Sequence, residues 1–471
     1  MIRLASLRGL ATFFLIFALS SCGDVKRVIE PRATSSISRP GAATRSDLLA
    51  LPDGGHVVNS QAVVVLRQGL GLSDFLTRHG LTQVVVVRID QTDYILVEQA
   101  NTLAPELVRT LKALKDEVES ADFNYGLEAP EYVFEGGGQP MSFDDQGSNL
   151  DDSGYASQSQ LGHTHLPEAL SATSAYGVKV AILDTGVDRT HPGFYGVKMS
   201  VGRDWSILPP GSSAYETRNG LDDDGDHVND EAYGHGTHVA GIVKLTAPGA
   251  TLIPIRVLND DGWGTTMGLI GAIADAITKG AGVINMSLGL TDDVDHVRIA
   301  VASAVSHGIA VVASAGNKPT GGDQYPASYP GVISVTAVDA SDVVAPFASR
   351  GTRVSMSAPG VGIISLYAQA PGHQALYARG SGTSMAAPIV TGGVAMAMAY
   401  LESGGQQSAQ MVVDTSTPID DLNPTVRGLI GRGRIDFLAA IGNPEPPLED
   451  WEPMPSPSPS PNPFPTFQPK P

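Results

Sequence analysis

The chain has 471 residues, a formal net charge of −19 at neutral pH and a single cysteine. The excess of acidic residues and the lack of any basic stripe argue against a nucleic-acid partner. One cysteine excludes internal disulfides, zinc sites built from thiolates and CxxC redox chemistry. Apolar residues make up 42% of the chain, which is enough to bury a large core. The length suggests more than one folded unit.

The N-terminus has the pattern of an export signal. Arg3 and Arg8 precede an apolar run over residues 10–19. This run is shorter than the roughly 18 residues that a membrane-spanning helix needs. Leu-Ser-Ser-Cys follows and resembles the bacterial lipobox, in which the cysteine is lipidated. We therefore predict a signal peptide over 1–21, lipidation at Cys22 and a flexible polar tether over 22–56. An ordinary secretory signal with a chance cysteine is the alternative.

A small α+β unit is predicted over residues 57–128. Apolar runs and helical spacing alternate there in the order β-α-β-β-α-β, which is the split ferredoxin-like arrangement. No cluster of catalytic side chains falls within it. Residues 129–160 are rich in Gly, Asp, Ser and Gln. We expect them to form a linker that does not pack and that contains a processing site.

The large unit at 161–442 alternates apolar runs with helical segments. This alternation predicts an α/β domain in which helices cover a parallel sheet. Strands are expected over 178–183, 252–258, 283–288, 309–313 and 332–338, and helices over 238–244, 269–279 and 294–307. Active sites of such sheets lie beyond the carboxyl ends of the strands. The proline-rich tail at 443–471 is expected to be a disordered spacer, with a docking peptide as the alternative.

Three short motifs in the large unit contain residues suited to catalysis. An apolar strand ends at Asp184 before Thr-Gly, and a carboxylate there could hold an imidazole in one tautomer. His235 stands in Gly-His-Gly-Thr-His at the start of a helix, and neutral imidazole is a good general base near pH 7. Ser384 stands in Gly-Thr-Ser-Met-Ala-Ala-Pro at a helix N-terminus, whose free N–H groups favour developing negative charge.

Each motif alone has a purely structural explanation. The aspartate could belong to a turn and the serine could be an N-cap; the two histidines could bind a metal, although no HExxH pattern is present. Together, in the order Asp, His, Ser, the motifs closely resemble the subtilisin-like serine proteases, or subtilases, over 161–442. The unit at 57–128 looks like the inhibitory propeptide of that family.

The resemblance implies a role for each matching catalytic residue. Ser384 matches the nucleophile, and His235 matches the general base that takes its proton. Asp184 matches the carboxylate that orients the histidine. Asn317, in Ala-Ser-Ala-Gly-Asn, matches the side-chain donor of the oxyanion hole, which pairs with the N–H of the nucleophile.

The resemblance also implies a substrate-binding cleft. One side is the strand expected to pair with the substrate backbone, formed by Ser287, Leu288 and Gly289. The other wall of the primary specificity pocket is formed by Ser314, Ala315 and Gly316. Because these residues are small, we expect a preference for medium or large apolar side chains. Gln324 falls near the base of the pocket.

The stretch at 221–231 is dense in acidic residues. Calcium takes several oxygen ligands, so a calcium site is one interpretation, with the ligands Asp222, Asp224, Asp226 and Asp230. Many subtilases bind calcium, which favours this interpretation. The stretch does not fit an EF-hand, because His227 occupies the position that needs glycine. A solvated acidic loop is the alternative.

These patterns predict a serine endopeptidase that is made as a self-processing zymogen and exported from a bacterial cell. It is expected to be anchored through its lipid or to become extracellular after processing. Its expected partners are polypeptide substrates, its own propeptide and, through the lipid, a membrane; calcium is the one expected cofactor. Two other classes stay open. One is a catalytically dead binding protein on the same fold, and the other is a surface lipoprotein that acts through its proline-rich tail.

Overall fold

The computed structural model describes residues 48–51, 56–129, 143, 150–223, 228–320, 322–369 and 375–444. The predicted signal peptide, the lipidation site at Cys22, most of the tether and nearly all of the proline-rich tail lie outside these residues. What the sequence predicts for those segments stays a prediction.

The small unit is an antiparallel sheet with helices on one face. Its strands are β1 (Leu48–Ala50), β2 (His56–Leu66), β3 (Thr82–Ile89), β4 (Thr92–Glu98) and β5 (Val118–Glu128), and its helices are α1 (Leu72–His79) and α2 (Ala104–Ala113). The strand order is β3-β4-β2-β5, and β1 pairs with the start of β2. From β2 to β5 the elements follow the predicted β-α-β-β-α-β order. The last strand, β5, ends at the predicted end of the unit, residue 128.

The large unit is built on a parallel sheet of six strands in the order β12-β11-β10-β9-β6-β7. These strands are β6 (Lys179–Asp184), β7 (Thr251–Arg256), β9 (Val283–Met286), β10 (Ala310–Ser314), β11 (Val332–Val338) and β12 (Met356–Pro359). A short strand, β8 (Trp263–Thr265), pairs with β5, and a hairpin is formed by β13 (Ile363–Leu366) and β14 (Tyr377–Gly380). The predicted α/β domain with a parallel sheet is confirmed.

Helices cover both faces of this sheet. They are α3 (Asp152–Ala156), α4 (Leu166–Ala172), α5 (His235–Thr246), α6 (Thr266–Thr278), α7 (Asp295–Ser306), α8 (Thr383–Leu401), α9 (Gly405–Asp414) and α10 (Phe437–Ala440). Residues of α5, α8 and α9 share one hydrophobic core, and residues of α6 and α7 share the other. Small residues let α5 and α8 approach closely: a Cβ on Gly392 would lie 1.9 Å from Oγ1 of Thr246.

The helix α8 is long and apolar enough to cross a membrane by length and composition alone. Within the described fold, however, 78% of its most apolar window is buried. A helix that is apolar on all sides is also what the core of a large domain requires. We therefore describe α8 as the central core helix of the large unit.

The sheet of the small unit packs on α6 and α7 of the large unit. Because successive strand residues point to opposite faces, one face meets α1 and α2 and the other meets the large unit. The ring of Tyr94 packs edge-on against His296, and Nε2 of His296 lies 2.8 Å from Oγ of Ser120. The buried side chain of Asn124 accepts the N–H of Met267 at 3.0 Å, in the first turn of α6.

The predicted linker differs from the expectation at its C-terminal end. Residues 152–156 form α3, and the buried Tyr155 donates its hydroxyl to the carbonyl oxygen of Gly241 at 2.6 Å. The side chain of Gln158 pairs with both backbone groups of Ile364, at 2.9 Å each. The expectation that 129–160 contains nothing that packs is therefore wrong for its last residues. One aromatic ring and one amide find partners that are distant in the sequence.

Candidate active site

The predicted catalytic residues lie at strand ends and at the starts of helices. Asp184 is the last residue of β6, His235 is the first residue of α5, and Ser384 is the second residue of α8. Asn317 lies three residues after the end of β10. This is the edge at which open α/β sheets place their functional sites.

A short hydrogen bond joins the aspartate and the histidine. Nδ1 of His235 lies 2.6 Å from Oδ1 of Asp184, and both side chains are shielded from water. The same Oδ1 accepts the N–H of Thr185 at 2.8 Å. A carboxylate that accepts the Nδ1–H selects the imidazole tautomer in which Nε2 carries a lone pair. The geometry therefore presents His235 as an oriented base.

The glycines on both sides of His235 are required by the backbone. Gly234 has a φ of 95°, in the left-handed region that favours glycine. A Cβ on Gly236 would lie 2.0 Å from the carbonyl oxygen of Gly186, so no larger residue fits there. The glycines thus allow the start of α5 to approach the turn that follows Asp184.

The second histidine of the motif lies in the protein core. His238 is fully buried, and its Nε2 lies 3.1 Å from the carbonyl oxygen of Ala378. Burial lowers the pKa of His238 to about 3. Its imidazole is therefore neutral throughout the pH range in which His235 would work.

Thr383 joins the start of α8 to the loop after β10. Its N–H and its hydroxyl both donate to Oδ1 of Asn317, at 3.0 and 3.1 Å. The oxygen of that hydroxyl accepts the N–H of Gly316 at 3.0 Å. These bonds hold the Asn317 amide next to the residue that precedes Ser384, with Nδ2 as its donor end.

The predicted substrate strand already has a pairing partner. The N–H and carbonyl of Gly289 pair with the carbonyl and N–H of Glu128, at 2.9 and 3.0 Å. On its other edge, the end of β5 pairs with β8. Ser287 donates its hydroxyl to the carbonyl oxygen of Ser384 at 3.0 Å, and Leu288 is buried in the core. The end of β5 therefore lies as the middle strand of a three-stranded arrangement in the cleft.

The side chain of Gln324 lies against the predicted specificity pocket. Ser314 and Ala315, on its predicted wall, are buried. A Cβ on Gly289 would lie 1.9 Å from Nε2 of Gln324, and a Cβ on Gly316 would lie 1.6 Å from Oε1 of the same side chain. The Gln324 amide thus fills the space between the two glycines.

One residue of the predicted linker lies against the histidines. The ring centroid of Phe143 is 4.8 Å from that of His238, 5.2 Å from that of Tyr367 and 6.2 Å from that of His235. Nothing in the local sequence indicates this contact, because Phe143 stands alone in a polar stretch. Only the path of the folded chain brings it to the site.

The predicted calcium ligands are only partly described. Asp224 and Asp226 lie outside the described residues, whereas Asp222 is half-buried and Asp230 is buried. Oδ1 of Asp230 accepts the N–H groups of Asn219 and the residue after it, at 3.0 Å each. Across the described ranges, no group of three or more His, Cys, Asp or Glu side chains is arranged to hold a metal ion.

Folding buries Asp223 within this loop and brings further buried acids beside it. These are Asp260 and Asp261, from the loop that follows β7. Burial raises the pKa of Asp260 to about 7 and also raises the pKa of Asp261. Nη2 of Arg256 lies 3.3 Å from Oδ1 of Asp260. Oxygen donors in a region of excess negative charge have the chemistry that a hard cation prefers.

Comparison with known proteins identifies the class of enzyme. The sequence profile of the subtilase family (peptidase S8) matches residues 175–433. Subtilisin DY from Bacillus licheniformis is 35% identical over 267 residues, which cover 54% of this chain and 88% of that relative. Thermitase from Thermoactinomyces vulgaris is 32% identical over 299 residues, which cover 61% of this chain and 97% of that relative.

A solved structure has the same fold. Fervidolysin from Fervidobacterium pennivorans, described as a keratinolytic enzyme related to subtilisin, aligns with a TM-score of 0.65 at 24% identity. The alignment covers 84% of this chain and 62% of that chain. The fold and the sequence relatives together define a serine endopeptidase. The chain belongs to the subtilase family.

Proposed function

We propose that the enzyme hydrolyses peptide bonds through Asp184, His235 and Ser384. Oγ of Ser384 attacks the carbonyl carbon as Nε2 of His235 takes its proton. The histidine then donates that proton to the leaving amine. A water molecule, deprotonated by the same histidine, then hydrolyses the acyl-enzyme. The observation that carries this proposal is the buried 2.6 Å hydrogen bond between Asp184 and His235. It supplies an oriented base and a nearby anion that stabilises the imidazolium.

The oxyanion of the tetrahedral intermediate would be bound by two donors. One is Nδ2 of Asn317, and the other is the N–H of Ser384 in the first turn of α8. The hydrogen bonds from Thr383 support this role, because they orient the Asn317 amide before any substrate arrives. Donors that are already in position need no reorganisation when charge develops.

The substrate backbone would enter the cleft as an added strand. Gly289 offers its N–H and carbonyl on one side, and β8 offers its edge on the other. The end of β5 occupies this position, which supports two statements at once. A peptide can pair there, and the small unit would act as an inhibitory propeptide that keeps substrates out.

The proposed propeptide is held on the catalytic unit by more than its last strand. Asn124 accepts the N–H of Met267, and the N–H of Tyr125 donates to Oγ1 of Thr266 at 3.1 Å. Near the other end of the sheet, Ser303 donates to Oδ2 of Asp90 at 2.6 Å. These contacts support a complex that persists after the chain between the units is cut.

Processing would occur within residues 129–160, at a bond before the segment that packs from α3 onward. Ala129, which donates its N–H to the carbonyl oxygen of Gly262 at 3.1 Å, lies in the cleft. Phe143 lies against the ring of His235. The two ends of the intervening chain thus lie at the catalytic residues, which favours an intramolecular cut.

The site of lipidation gives processing a second consequence. Cys22 would lie on the propeptide side of the cut. The catalytic unit would then stay at the membrane only while the propeptide binds it. Loss of the propeptide would release and activate the enzyme together.

The residue before the scissile bond would have a small side chain. Gln324 fills the space between Gly289 and Gly316, so a long apolar side chain would have to displace its amide. A side chain such as that of alanine or serine would not. This preference replaces the one expected from the small residues of the pocket wall.

We also propose that calcium binds the acidic loop. Asp222, Asp224, Asp226 and Asp230 would supply carboxylate oxygens. The cation would offset the negative charge that Asp223, Asp260 and Asp261 bring into the same buried region. Its expected contribution is to the stability of the loop that leads to His235.

Removing the nucleophile tests the proposed catalytic residues. We expect Ser384→Ala to lower turnover of a peptide substrate by about 10⁶ and Asn317→Ala by about 10²–10³, the losses known for the matching residues of subtilisin. The measurement is kcat on the processed enzyme, with the exposed Asp421→Asn as a matched control. Activity of Ser384→Ala equal to that of the parent would contradict the proposal.

Shortening Gln324 tests the proposed pocket. In Gln324→Ala, kcat/KM for a substrate with Phe before the scissile bond should rise by at least about tenfold, because the amide no longer fills the pocket. The value for the matching Ala substrate should change little. Gln410→Ala, on the surface of α9, is the control. An unchanged ratio of Phe to Ala cleavage in Gln324→Ala would rule out this role.

Chelation tests the calcium site. In the Ser384→Ala background, which prevents self-digestion, EDTA should lower the Tm by several degrees. Binding at 100 times Kd contributes about 2.7 kcal/mol to stability. Calcium should restore the Tm, and Asp230→Asn should weaken that restoration while Asp421→Asn leaves it intact. A Tm that does not respond to EDTA or calcium would exclude the site.

A further inference from the structure

A buried carboxylate with no place in the proposed triad lies beside the Asp184–His235 pair. Glu216, in the chain between β6 and α5, is only 9% exposed. Its Oε1 accepts the hydroxyl of Thr185 at 2.6 Å and the N–H of Gly234 at 2.7 Å. Its Oε2 accepts both the hydroxyl and the N–H of Thr237. Four donors therefore converge on one carboxylate.

The direction of these hydrogen bonds favours an anion over a protonated carboxyl. The oxygen of the Thr185 hydroxyl accepts the N–H of Gly236 at 2.9 Å. The oxygen of the Thr237 hydroxyl accepts the N–H of Asp188 at 2.8 Å. Each hydroxyl proton is thus directed at Glu216, which receives hydrogens on both oxygens. A protonated carboxyl could place its own hydrogen only if one of these hydroxyls turned its proton away from Glu216.

The donors come from both elements of the catalytic pair. Thr185 directly follows Asp184, and its own N–H donates to the Asp184 carboxylate. The other donors, Gly234 and Thr237, flank His235 at the start of α5. One buried anion therefore ties the end of β6 to the beginning of α5, on either side of the 2.6 Å bond.

We propose that Glu216 is a positioning residue that sets the geometry of the Asp184–His235 pair and whose negative charge favours the protonated imidazole. It does not touch the substrate. It acts by holding the two elements together and by placing a second anion against the residues that flank His235, on which positive charge develops during the reaction. The inference rests on the proposed function of Asp184, His235 and Ser384.

Two other titratable side chains, those of Tyr233 and His238, face this network. Burial raises the pKa of Tyr233 to about 12 and lowers the pKa of His238 to about 3, so both are neutral. Asp184 accepts hydrogen bonds as described, and Asp188 lies at the edge of the network. Burial raises the pKa of Glu216 to about 7. Glu216 therefore titrates near neutral pH.

The experiment compares pH profiles of the processed enzyme and of Glu216→Gln. The glutamine amide has the shape of the carboxylate but carries no charge. Its NH2 group faces two hydrogen-bond donors instead of acceptors. We expect kcat to fall by at least about tenfold with KM within about twofold. We also expect the acid limb of kcat/KM to move to lower pH by about 1, because loss of the anion makes the imidazole release its proton more easily.

A second variant weakens the same anion without removing it. Thr237→Val removes one donor, so the anion of Glu216 is less stable, and the acid limb should move to lower pH by less than in Glu216→Gln. This variant also keeps the inference testable if Glu216→Gln does not fold. Glu216→Asp, which keeps the charge, should return the limb toward its original position. Unfolding temperatures of all variants distinguish a loss of fold from a loss of positioning.

The outcomes separate this inference from the proposed function. Wild-type activity that survives Ser384→Ala would refute the proposed function itself. If Ser384→Ala is inactive and the acid limb is unmoved in both Glu216→Gln and Thr237→Val, only the role of Glu216 is overturned. If Glu216→Gln lowers the Tm but leaves kcat and the acid limb of kcat/KM unchanged, Glu216 has only a structural role and the inference is likewise overturned.

Discussion

A 2.6 Å hydrogen bond between two buried side chains, Asp184 and His235, is the contact on which the candidate site depends. Burying a carboxylate is unfavourable unless hydrogen bonds compensate for the lost water. Here the imidazole and the N–H of Thr185 provide that compensation. The contact can form only because Gly236 lets the start of α5 lie against the turn after β6. The backbone geometry and the chemistry of the site therefore impose the same requirement on the sequence.

The cleft beside this pair is a slot for one extended strand. Gly289 and β8 present backbone groups from two sides, and the end of β5 is paired with both. Inhibition and substrate binding would thus compete for the same hydrogen bonds. The proposed competition would account for the packing of a small unit without catalytic residues on α6 and α7. It also explains why the chain after Ala129 would be the first segment exposed to the catalytic residues.

The sequence predicts the strand-and-helix order well because each element carries its own local signal. The apolar run before Asp184 is a strand, and the glycine-flanked His235 begins a helix, although that helix starts three residues before its predicted beginning at 238. The left-handed backbone of Gly234 marks the true start. The features that the sequence does not reveal all depend on long-range contacts. Phe143 and Tyr155 contact residues that are distant in the sequence, and the Gln324 side chain reaches both Gly289 and Gly316.

The most direct test of the account is self-processing of the precursor that lacks residues 1–22, incubated with calcium beside its Ser384→Ala twin. The account predicts that the parent shortens to a fragment beginning between residues 129 and 160, whereas the twin stays full length. Mass spectrometry of both products gives the cut and its dependence on the nucleophile in one measurement. If both proteins shorten alike at the same bond, or if the parent stays whole and a fluorophosphonate probe does not label Ser384, the proposed catalytic role of this serine is contradicted.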